Sequence, residues 1–80
     1  MDIEAISKRV AEEVDAAIRS VGTVAAVSAS TGIPRTTLIR SLNGQRPFAV
    51  DELAAIAVEL GTDIPRLAPS LVARQSDTDA

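Results

Sequence analysis

The chain of 80 residues suffices for one small domain, and its 46% hydrophobic content is almost wholly Ala, Val, Ile and Leu, since aromatics make up 1%. With no Cys and no His, it offers no disulfide framework, no thiolate or imidazole metal site and no histidine general base. The net charge of −3 argues against indiscriminate nucleic-acid binding, so the distribution of charge matters more than its sum.

Residues 2–19 are predicted to form an amphipathic helix. Ile3, Ile6, Val10, Val14, Ala17 and Val21 recur at spacings of three and four, which places them on one face. Opposite charges stand four apart at Glu4–Lys8, Lys8–Glu12, Arg9–Glu13 and Asp15–Arg19 and suit a solvated outer face. The acids Glu12, Glu13 and Asp15 belong to that face rather than to a metal site.

Gly22 ends this pattern, and Thr23 can cap a short second helix over 24–31. Gly32 stops it, and Ile33-Pro34 leads into a third helix from about Pro34 to Leu42. Asn43-Gly44 is a turn signal, and Pro47 prevents continuation. A fourth helix is predicted from about Val50 to Leu60, with Val50, Leu53, Ile56, Ala57 and Leu60 as its stripe. Asp51 and Glu52 complement its N-terminal dipole, and Gly61 ends it. Asp63-Ile64-Pro65 can open one last turn that folds Ile64 and Leu67 onto the core.

Together these elements predict an all-α fold, a compact bundle of four to five short helices in one domain over 1–69. Residues 70–80 form a tail, partly disordered, in which Leu71 and Val72 could finish the core, form a dimer seam or stay loose. No run of about 18 apolar residues occurs and no cationic leader precedes an apolar stretch, so a soluble cytoplasmic protein without a membrane span is expected.

The informative stretch is "STGIPRTTLIRSLNGQRPF". Residues 20–49 hold Arg35, Arg40 and Arg46 and no acid, inside an acidic chain. Two short helices around a glycine also meet the needs of a helix-turn-helix. Gly32 permits positive φ, Ser28 is small where the helices touch, and Val27, Ile33 and Leu38 are apolar where the core requires it.

At these residues the chain resembles the lambda-repressor-like, or XRE-type, helix-turn-helix DNA-binding domain. Thr31-Gly32-Ile33, Asn43-Gly44, Asp51-Glu52-Leu53, Ile56-Ala57 and Leu60-Gly61 stand at that family's spacing, over about residues 22–67. Two positions depart from it. Ser41 stands where an Ile or Leu is usual, with the apolar residue shifted to Leu42, and Val24 stands where helix 2 often begins with a phosphate-touching Gln.

The resemblance implies a sequence-specific regulator of transcription that binds double-stranded DNA, of the small phage or prophage Cro kind or an antitoxin-like one. No cofactor and no enzymatic activity are expected, since the hydroxyls have no histidine base to activate them, and a homodimer could form. The third helix would lie in the major groove with Arg35, Thr36, Thr37, Ile39 and Arg40 at base edges. Thr23, Asn43, Gln45 and Arg46 would meet phosphates.

Other readings stand beside these. Arg40 could pair with Glu52, and Thr36 and Thr37 could bond the backbone. Phe48 is read as a plug for the bundle. The rival function is a protein-interaction or dimerisation module that docks a basic partner through acidic helices 1 and 4. Three arginines on one acid-free exposed face would favour DNA, and arginines paired to acids would favour the rival.

Overall fold

The computed structural model describes residues 3–72, and within them the chain is all-α. Its elements are α1 (Ile3–Val21), α2 (Val24–Thr31), α3 (Arg35–Leu42), α4 (Val50–Glu59), α5 (Ile64–Leu67) and a 3₁₀ turn (Pro69–Leu71). The expected polar tail "SDTDA" lies outside the described residues.

The helix ends are set locally. Thr23 Oγ1 accepts from Ala26 N and caps α2, and Asp63 Oδ1 accepts from Arg66 N and caps α5. Gly44 closes α3 with φ 78°, while Gln45 N donates to Arg40 O and Gly44 N to Ser41 O, the paired bonds of a Schellman motif. The same pair recurs after α4, with Thr62 N on Ala57 O and Gly61 N on Val58 O.

The core is built from both ends of the chain. Val10, Val14 and Ile18 of α1 meet Val27, Ile33, Leu38, Leu53, Ile56, Ala57, Leu67 and Ala68. The α1 stripe differs from the one expected. Ile18 is fully buried, whereas Ile3 and Val21 are exposed. A helix advances 3.6 residues per turn, so a stripe of many turns drifts. Neighbouring helices cover only the part centred on Val10, Val14 and Ile18. Val50 of α4 is likewise exposed. Phe48 packs, half-buried, against the core.

Of the four charge pairs expected along α1, Asp15–Arg19 forms among the described residues, at 2.9 Å. Glu13 is used otherwise. Its Oε1 accepts from Ser70 N at 3.1 Å and its Oε2 from Ser70 Oγ at 2.6 Å, across 57 residues of sequence. This carboxylate satisfies the start of the 3₁₀ turn and fastens it to α1. The first residues past Pro69 are therefore attached, yet neither Leu71 nor Val72 joins the core cluster.

Gly32 joins α2 to α3 with φ 80° and has open space around it. Gly32→Ala should therefore cost about 1–2 kcal/mol through left-handed backbone strain alone. A urea titration checks this, with Gly22→Ala as the comparison. Gly22 has equally open surroundings and is not among the positive-φ glycines, so its variant should unfold close to the parent midpoint.

Candidate nucleic-acid interface

Residues 32–34 separate α2 from α3, and side chains fasten this turn. Ser28 Oγ donates to Ile33 O at 2.6 Å. Thr31 Oγ1 donates to Val27 O at 2.7 Å and accepts from Ile33 N at 3.3 Å. Gly32 N donates to Ser28 O. The turn's backbone groups are thus largely satisfied without water, which fixes the direction in which α3 leaves. The sequence asks of Ser28 only that it be small. In the fold Ser28 also supplies a hydrogen bond.

α3 has two faces. Leu38 and Ser41 are buried, at 0% and 1% exposure, and Leu42 is half-buried. Arg35, Thr36, Ile39 and Arg40 are exposed, and Asn43 continues that face one turn on. Thr37 is half-buried and lies at the edge, so it is placed less favourably for a base than Thr36. Ile39, at 40% exposure, is an apolar side chain amid polar neighbours. Pro34 has no side-chain acceptor, so the N-terminus of α3 stays uncapped, unlike those of α2 and α5.

Neither Arg35 nor Arg40 forms an ion pair among the described residues. Glu52, which the sequence offers to Arg40, is taken by Arg46. Arg46 Nη1 donates to Glu52 Oε1 and Oε2 at 3.2 Å each, and to Ser41 Oγ at 2.9 Å. Ser41 therefore has a physical role of its own. Its buried hydroxyl accepts from the arginine that ties the exit loop to α3 and α4. Among the described residues, neither Thr36 nor Thr37 spends its hydroxyl on a backbone group.

Of the residues expected at phosphates, Asn43, Gln45 and Thr23 are exposed. Thr23 Oγ1 is occupied as the α2 cap, although its lone pairs exceed that single bond. Lys8, which the sequence places on the solvated face of α1, lies next to the exit loop. Its Cγ lies 3.8 Å from where a Cβ on Gly44 would sit, so α1 brings a cation beside the exit loop. An open groove of about 740 Å³ runs there, lined by Glu4, Ser7, Lys8, Gln45, Arg46 and Pro47, among others. Lys8 and Gly44 lie far apart in sequence, and no local signal joins them.

Among the described residues, two of the three arginines of the 20–49 stretch thus stand free on the exposed face of α3, and the third is paired to an acid. No protein-family model matches the chain, and no curated protein or solved structure is significantly similar to it. No helix among the described residues is long and apolar enough to cross a membrane.

Proposed function

We propose that the chain is a helix-turn-helix regulator of the XRE kind, which binds double-stranded DNA by sequence and represses by occupying a promoter in the cytoplasm. The observation that carries this reading is the outer face of α3. It presents Arg35, Thr36, Ile39 and Arg40, exposed and free of acid, on a helix held by a fastened turn.

The chemistry suits a major groove. A guanidinium bonds bidentately to guanine O6 and N7, and an exposed apolar side chain packs on a thymine methyl. Arg35 and Arg40 take the first role, and Ile39 with Thr36 the second. Asn43 and Gln45, in the exit loop, hold phosphates and set register. The absence of carboxylates over residues 20–49 removes repulsion where the DNA would approach. Two copies on a two-fold site, with half-sites about 34–36 Å apart, would raise the affinity of so small a surface.

The test is selection from a randomised duplex pool, with sequencing, at two salt concentrations. Enrichment of one motif, with binding that weakens as salt rises, is the expected result. A palindromic motif would indicate a dimer on its site. Absence of any enriched motif at low salt would defeat the proposal and turn the search toward protein partners of acidic α1 and α4.

A further inference from the structure

Arg46 differs from the other two arginines of the basic stretch because a carboxylate holds it. Glu52 is itself fixed. Its Oε1 accepts from Ala49 N at 2.9 Å, so it caps α4 by reaching back to the residue before the helix. The Glu52 side chain is 17% exposed and that of Arg46 is 34% exposed. Ser41 Oγ adds a second acceptor from the end of α3. The exit loop's single cation is thereby drawn toward the protein and neutralised within it.

An ion pair presents little net charge to a phosphate, and phosphate affinity scales with the cations that displace counterions. We propose that Glu52 is a positioning residue that acts through Arg46, withholding this guanidinium from phosphate and so lowering the protein's sequence-independent hold on DNA. Arg35 and Arg40 of α3 are left as the free cations of the basic stretch, and affinity leans on the face that reads bases. This inference rests on the DNA-binding reading above.

The experiment uses the full chain, a duplex carrying the selected motif and a scrambled duplex, each titrated across a salt series. Glu52→Gln keeps an oxygen for Ala49 N and removes the charge that holds Arg46. It is expected to bind both duplexes more tightly at low salt and to steepen the slope of log affinity against log salt by about 0.9. Adding Arg46→Ala to Glu52→Gln should cancel both changes.

An unchanged or flatter slope for Glu52→Gln would overturn the proposal. So would a flatter slope for Arg46→Ala alone, because Arg46 would then already be on phosphate. That single variant keeps the question decidable should Glu52→Gln fail to melt cooperatively. The two readings fail separately. A parent chain that binds no duplex, with Glu52→Gln gaining salt-sensitive binding, would sink the native DNA function and keep the restraint. A parent that selects its motif, with Glu52→Gln behaving identically, would do the reverse.

Discussion

Leu38→Ala is expected to cost about 2–5 kcal/mol and to lower the melting temperature by at least about 10 °C. Leu38 is fully buried, and it is the one large side chain that α3 sends wholly into the core. Truncation removes apolar surface from the core and leaves a cavity that short helices refill poorly. A domain of this size has only a few kcal/mol in reserve, so the loss is a large share of the whole. The effect should reach function too. With Leu38 gone, only Ser41 and half-buried neighbours secure α3, and its outer face loses its fixed direction. Thermal melting followed by circular dichroism checks the first effect, and DNA titration below the melting point checks the second. Ile39→Ala, one residue on and exposed, should move the melting temperature little. Equal losses for the two variants would refute the assignment of faces.

Arg35→Ala should do the opposite, with stability kept and recognition lost. Arg35 is exposed and unpaired among the described residues, so its removal should change stability by no more than about 0.5 kcal/mol. On the selected duplex it should cost about 1–3 kcal/mol, roughly 5- to 150-fold in affinity, and relax preference at one base pair. The reason is geometric. Arg35 begins α3, and in the docking proposed for this chain the first residues of the helix meet the base edges. Repeating the pool selection with the variant shows which position has relaxed. A loss of equal size on every sequence would place Arg35 at a phosphate, because a phosphate contact carries no sequence information.

The contrast between these variants shows what was legible. The buried and exposed faces of α3 follow from a period of 3.6 and the order of its residues, so Leu38 could be set inside and Arg35, Ile39 and Arg40 outside from sequence alone. The charge partner of each arginine could not be read the same way. The sequence allows Glu52 as a partner for Arg40, and the structure gives it to Arg46. Which of the two reaches it depends on how the exit loop turns after Gly44.

The sequence by itself determined the all-α class and, to within about two residues, the helix limits, because glycines, prolines and capping side chains act within a few residues of one another. Thr23, Gly32, Gly44, Gly61 and Asp63 each carry their instruction locally. It also determined the acid-free basic stretch, which is a matter of composition. Tertiary structure alone decided that Ile18 and not Val21 enters the core, that Glu13 leaves Arg9 to bind Ser70, and that Lys8 lies beside Gly44. It alone decided that Ser41 and Glu52 share Arg46. These outcomes depend on which surfaces of separate helices meet. That is a property of packing, and no periodicity within one segment contains it.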